Sequence, residues 1–298
     1  MSLVSSDDTL EGFVDACFDN PTKCPLALIA DSPDAALEAI VGLFEKLKTE
    51  PLLIPVEGSD PVPITFSVVN SLVLSLLYRH NDYQTLAALL VAAIAEDVDA
   101  LNAALSGGGV SAIPQQAEAV MGIRCGDKVP RADELSDLDA LDDEFDAASK
   151  YFSGFARGYY VYACAQWAFE AKERYDGDFR ASTASPILFI GNTYDPVTPL
   201  ASAKNMSAGF EGSVVLQHDG FGHTSIAQTS NCTNEAIARY FADGTLPEDG
   251  TVCEVNDPLF ANDEELPAGG GEGAGEEAGA GPSSTEEAES PAETEGAE

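Results

Sequence analysis

Two stretches of this chain carry residue types that do chemistry together. SPILFIGNTYDPVTPL, residues 185–200, runs apolar and then presents Asp195. VVLQHDGFGHTS, residues 214–225, does the same and then presents His223. A carboxylate that orients an imidazole, which in turn deprotonates a hydroxyl, is the acid–base half of nucleophilic acyl transfer. Both runs have the composition of short buried strands, bounded by proline and glycine. The segment between them, 199–209, reads as a helix, and 233–242 reads as another. Strand, helix, strand, helix predicts a parallel sheet with right-handed crossovers. In such sheets functional side chains lie just past the carboxyl ends of the strands, where Asp195 and His223 fall. The order along the chain is acid then base, one of the orders in which a triad occurs when its serine precedes both.

Other residues compete for these roles. Asp195 in NTYDPVTP also has the chemistry of a turn residue that caps the following helix. His223 also fits an ordinary surface loop. His218 falls inside the second strand, and His80, in LLYRHND, reads as a surface or helix-cap residue. Asp219 is too near His223 in sequence to orient it in the usual way.

The elements that precede this region read as largely helical. Residues 32–48 form an amphipathic helix with Ser32 as cap, Pro33 at its first position and Leu37, Ile40, Val41, Phe44 and Leu47 on one face. Residues 65–79 read as a second helix. Residues 83–105 read as a third, ending at the run Gly107, Gly108, Gly109. VMGIRC, residues 120–125, reads as a short strand or turn, and 133–175 as helical, acidic first and then aromatic. The acidic stretch DELSDLDALDDEFD lacks the glycine and ligand spacing of a calcium loop, so a solvated helix face is the better reading. Residues 262–298 are mostly Gly, Glu, Ala, Ser and Pro, which bury too little apolar surface to offset chain entropy and predict a disordered acidic tail.

Composition narrows the partners. The formal net charge is -37 over 298 residues, no basic residue follows Arg239, and the twelve acidic residues of 263–298 account for only part of the excess. A field of that sign repels phosphate backbones and anionic lipid surfaces, so neither nucleic acid nor membrane is an expected partner. LAALLVAAIA, residues 86–95, is too short to span a bilayer. MSLVSSDDTLEGF has neither the basic nor the apolar region of a signal peptide.

Six cysteines allow fifteen pairings, and none of the six lies in a CxxC, so a zinc site has little support. Order and spacing favour Cys17 with Cys24, Cys125 with Cys164, and Cys232 with Cys253; six free thiols in a reducing compartment is the alternative. Asn205-Met-Ser and Asn231-Cys-Thr are glycosylation sequons that agree with an oxidising, secretory setting.

The run PILFIGNTYDPVTPLASAKNM, then DGFGHTS, then NCTNEAIARYFADGTLPEDGTVCE resembles the C-terminal region of the tripeptidyl aminopeptidase family, secreted serine peptidases of the α/β-hydrolase fold. Upstream, Cys17 and Cys24, the helical LLYRHNDYQTLAALLVAAIAEDVDAL, the IRCGD box and the CAQW box resemble the cap region of that family, so that the likeness extends over about residues 7–260. The resemblance implies an α/β fold: the C-terminal portion of an α/β-hydrolase with a largely helical cap at 1–180, a C-terminal subdomain at 181–261 and the tail at 262–298. It implies Asp195 as triad acid and His223 as base, it is compatible with the three cysteine pairs, and it implies secretion of the complete enzyme, a peptide substrate, and no metal or cofactor. One departure is large. No G-x-S-x-G nucleophile elbow is present; Ser153 lacks the first glycine and Ser111 the last. The strands that would precede the elbow, and the oxyanion loop, are expected to be absent too. Only the last two strands of a sheet of about eight are then expected in 182–260, a remnant or binding module is the alternative to an enzyme, and the missing N-terminal half of the fold is a candidate partner.

Overall fold

A computed structural model of the chain describes residues 3–56, 58–107, 117–127 and 131–260. Ser111, most of the glycine run and the acidic tail lie outside the described residues. Helix α1 (Ser6–Asp19) opens the structure and was not anticipated. Helix α2 (Pro33–Leu47) starts as its sequence dictates, with the Ser32 hydroxyl accepting the Ala35 N–H at 3.2 Å and Pro33 in the first turn. Its most deeply buried positions are Ala36, Ile40, Leu43, Phe44 and Leu47, with Leu37 and Val41 on the flank of the same face.

A hairpin follows that the prolines had concealed. Strands β1 (Leu52–Val56) and β2 (Ser59–Ile64) pair antiparallel, Leu52 opposite Ile64, and both of those side chains face the core. A two-stranded ribbon is all edge, so prolines that would disrupt a central strand are tolerated here.

Helix α3 (Phe66–Leu76) and helix α4 (Tyr83–Ile94) follow, and the third expected helix divides. Glu96 takes a left-handed φ of 55°. Asp97 then caps a separate helix α5 (Val98–Gly107), its carboxylate accepting the Ala100 N–H at 3.0 Å. VMGIRC is neither strand nor turn; it lies in helix α6 (Ala117–Asp127). The expected helix over 133–175 is also corrected. It breaks into α7 (Asp139–Ala148), α8 (Ser153–Ala156), a π-turn at Arg157–Tyr162 and α9 (Ala163–Ala165), and 166–180 form no regular element. Beyond Ala165 the chain leaves Phe169, Tyr175 and Phe179 exposed, so no apolar stripe holds a helix there.

The core sits between α1, α2, α3 and α4, with Phe13, Ile40, Leu77, Tyr83, Leu86 and Leu90 fully enclosed. The C-terminal part is a parallel sheet of three strands, one more than expected, in the order β3 (Leu188–Tyr194), β4 (Val214–Phe221), β5 (Val252–Glu254). Helix α10 (Leu200–Ser207) is the crossover from β3 to β4. Helix α11 (Asn231–Asp243) leads from β4 to β5, capped by the Ser230 hydroxyl at its start and closed by Gly244 in the left-handed region. β5 escapes a sequence reading because it pairs through only three residues. The three disulfides are Cys17–Cys24, Cys125–Cys164 and Cys232–Cys253, the last fastening α11 to β5. Among the described residues, no helix is long and apolar enough to cross a membrane.

Candidate active site

β3 ends at Tyr194 and Asp195 is the next residue; β4 ends at Phe221 and His223 is two residues on. The strands are hydrogen-bonded neighbours, so both side chains emerge at one edge of the sheet. Their last residues brace each other: Tyr194 and Phe221 stack with ring centroids 4.1 Å apart and planes 5° from parallel. Helix α1 lies against this pair through Gly12, where an added Cβ would come within 2.7 Å of the Phe221 ring. The N-terminal helix thus supports the ends of the two strands from which the site projects.

Asp195 is 1% exposed. Its Oδ1 accepts the N–H groups of Val197 at 2.9 Å and Thr198 at 2.8 Å, the pattern expected of an aspartate heading the turn D-P-V-T. Its Oδ2 accepts the Thr198 hydroxyl at 2.8 Å and the Thr224 N–H at 3.0 Å. His223 Nδ1 lies 3.2 Å from each carboxylate oxygen. A carboxylate so supplied with donors is an acceptor, so the geometry assigns a proton to Nδ1 and leaves Nε2 as the nitrogen that can offer a lone pair. No hydrogen bond to Nε2 is formed by a described residue, and the His223 side chain is 32% exposed. A base that faces outward and is oriented from behind by a buried acid is the arrangement that moves a proton between a nucleophile and a leaving group. Asp195 therefore heads its own turn and partners the histidine, but it does not cap the following helix: α10 starts after Pro199 with no side-chain cap.

The base loop is held from three directions. The His223 N–H donates to the Tyr78 carbonyl at 2.8 Å, and the Tyr78 ring meets the imidazole edge-on with centroids 5.0 Å apart. Gly222 has φ 96°, and a Cβ there would stand 2.6 Å from the same carbonyl oxygen. Only glycine satisfies both the backbone angle and the contact. Asn192, buried in β3, donates its amide to the carbonyls of Gly222 at 3.0 Å and Thr224 at 2.7 Å. His80, read as a surface or helix-cap residue, is half-buried at the start of a short turn, with Nδ1 against the Ala227 carbonyl at 2.5 Å. Tyr78, His80 and Asn192 are neighbours of the base loop that sequence reasoning did not select. Asn192 carried no signal beyond being an amide inside an apolar strand.

The other candidates lie elsewhere. His218 is fully buried in β4, its Nδ1 2.9 Å from the Thr233 hydroxyl and its Nε2 without a partner among the described residues. Burial holds its pKa below the ordinary 6.5 of a histidine. Asp219 makes no hydrogen bond to His223. Asn205 is exposed on α10 and Asn231 at the start of α11, while the sequon's Thr233 is buried against His218. Among the described residues, no three His, Cys, Asp or Glu side chains converge to hold a metal ion.

Comparison with known proteins falls on this same region. Residues 150–253 match the family described as TAP-like protein, a stretch that holds β3, α10, β4, α11, Asp195 and His223. Over 70 residues the chain is 31% identical to carboxylesterase B of Mycobacterium tuberculosis and equally to a protein of Mycobacterium bovis named as a hydrolase. Those alignments cover 24% of this chain and 13% of each relative, so the chain spans a small part of the length of the curated relatives it matches. The chain is thus similar to the TAP-like family over residues 150–253 and to hydrolase-named proteins over a shorter stretch.

Proposed function

We propose that this TAP-like segment is the acid–base portion of a serine exopeptidase that removes short peptides from a free N-terminus. The observation that carries the reading is the buried Asp195 carboxylate at His223 Nδ1, with Nε2 turned outward, at the ends of neighbouring parallel strands. In the complete enzyme His223 Nε2 takes the proton of a serine hydroxyl as the oxygen attacks the scissile carbonyl. The imidazolium gives that proton to the departing amine, and the acyl-enzyme is then opened by water deprotonated at the same nitrogen. Asp195 holds the tautomer and stabilises the imidazolium. The helical region of 1–180 serves as a cap that admits chain ends rather than folded protein. The three disulfides support an enzyme that works outside the reducing cytosol, with Asn205 and Asn231 as exposed glycan acceptors.

The serine is not supplied by a G-x-S-x-G elbow in this sequence. Loss of a serine nucleophile costs on the order of 10^6 in turnover, so these 298 residues alone are expected to be nearly inactive. That same absence favours the second reading, a non-catalytic remnant that binds a peptide or a partner chain. The two separate on treating the protein purified from its source with a fluorophosphonate and measuring intact mass. A labelled species heavier than 31.2 kDa that contains these peptides supports the peptidase. An unlabelled species at 31.2 kDa removes the enzymatic reading and leaves the binding module.

A further inference from the structure

The bond between Asp195 and His223 is longer than its chemistry requires. A carboxylate paired with an imidazole that becomes charged commonly closes to about 2.7–2.9 Å; here Nδ1 stands 3.2 Å from both oxygens. The other donors on the carboxylate give the reason. An ionised carboxylate offers about four lone-pair sites. The N–H groups of Val197 and Thr198 occupy Oδ1, and the Thr198 hydroxyl and Thr224 N–H occupy Oδ2. All four sites are filled before the histidine arrives, and its N–H is left a shared, longer bond.

Three of those donors are backbone, two from the turn of the acid and one from the base loop. The fourth is a side chain. The Thr198 oxygen also lies 3.3 Å from His223 Nδ1, where it can accept the Nδ1–H while its own proton is donated to Oδ2. We propose that Thr198 is a positioning residue that weakens the Asp195–His223 hydrogen bond, taking a share of the carboxylate and offering its own oxygen to Nδ1. The inference rests on the reading of these two residues as acid and base. Three backbone donors already fix the carboxylate, so the hydroxyl is not needed to hold it in place. Its distinct contribution is to limit how strongly the acid pulls on the ring, which leaves the imidazole free to turn between nucleophile and leaving group.

The test uses the full chain labelled with 15N at histidine, of which there are three. At low temperature the His223 Nδ1 proton is expected at low field, and Asp195→Asn is expected to abolish that signal. Persistence of the signal in Asp195→Asn would overturn the acid–base reading itself. Thr198 is exposed, so Thr198→Val is expected to fold, and unchanged His218 resonances check that it does. In Thr198→Val, and equally in Thr198→Ala, the Nδ1 proton is expected to move further downfield as the acid–base bond shortens; Thr198→Ser is expected to restore the original position. A proton that stays in place or moves upfield in both variants, with the Asp195→Asn control behaving as expected, would mean that Thr198 merely braces the loop, and would sink the proposal alone.

Discussion

The acid and the base of this site are built in opposite ways. Asp195 is fixed largely by its own turn: the Val197 and Thr198 N–H groups that hold its carboxylate lie two and three residues away. His223 is fixed by distant partners. Asn192 reaches its loop from 30 and 32 positions upstream, and His80 from 147. The acid is therefore a product of local folding, formed as soon as D-P-V-T turns. The base depends on the helical region having docked, because the corner between α3 and α4 supplies the carbonyl that receives the His223 N–H. One half of the site reports on its own loop, and the other reports on the assembly of the molecule.

Substitutions can break this contrast. Gly222→Ala places a Cβ against the Tyr78 carbonyl at a φ foreign to alanine, and is expected to lower the free energy of unfolding by about 3 kcal/mol in urea titrations. A loss below about 1 kcal/mol would mean that the corner does not grip the base loop. Asp195→Ala leaves the N–H groups of Val197, Thr198 and Thr224 without their acceptor, at an expected cost of about 2 kcal/mol. Hydrogen exchange should show that opening confined to the acid turn and the start of the base loop, with α3 and α4 protected as before.

His218 sharpens the contrast through pH. It lies in β4, which leads into the base loop, and burial lowers its pKa, so the unfolded chain binds its proton more readily than the folded one. Stability is then complete above about 6.5 and falls as pH drops below it, at up to about 1.4 kcal/mol per pH unit. His218→Gln should flatten that part of the profile. The smallest effect is expected for His80→Ala, about 1 kcal/mol from one lost side-chain bond to the Ala227 carbonyl. Faster amide exchange over 222–228 with no change over 195–198 would show the two loops responding separately.

What was legible in the sequence follows the same division. D-P-V-T announced a turn aspartate, Ser32-Pro33 announced the start of α2, and the apolar runs announced β3 and β4, because each signal acts over a few residues. The placement of Asp195 and His223 at neighbouring strand ends followed from the strand–helix–strand order. Missed were features that depend on distant packing: the role of Tyr78 and His80, the amide of Asn192, and β5, whose three residues are held by β4 and by Cys232–Cys253. The division at Glu96 had a local signal in Asp97, outweighed by the continuous helical periodicity on either side.

The account turns on which nitrogen of His223 carries the proton. Long-range 1H–15N correlation of the histidine-labelled chain at alkaline pH reads this directly. The account predicts His223 protonated at Nδ1 and bare at Nε2, with Asp195→Asn abolishing the preference. A proton resting on Nε2 in the unsubstituted protein would contradict it, since that ring could not serve as the base.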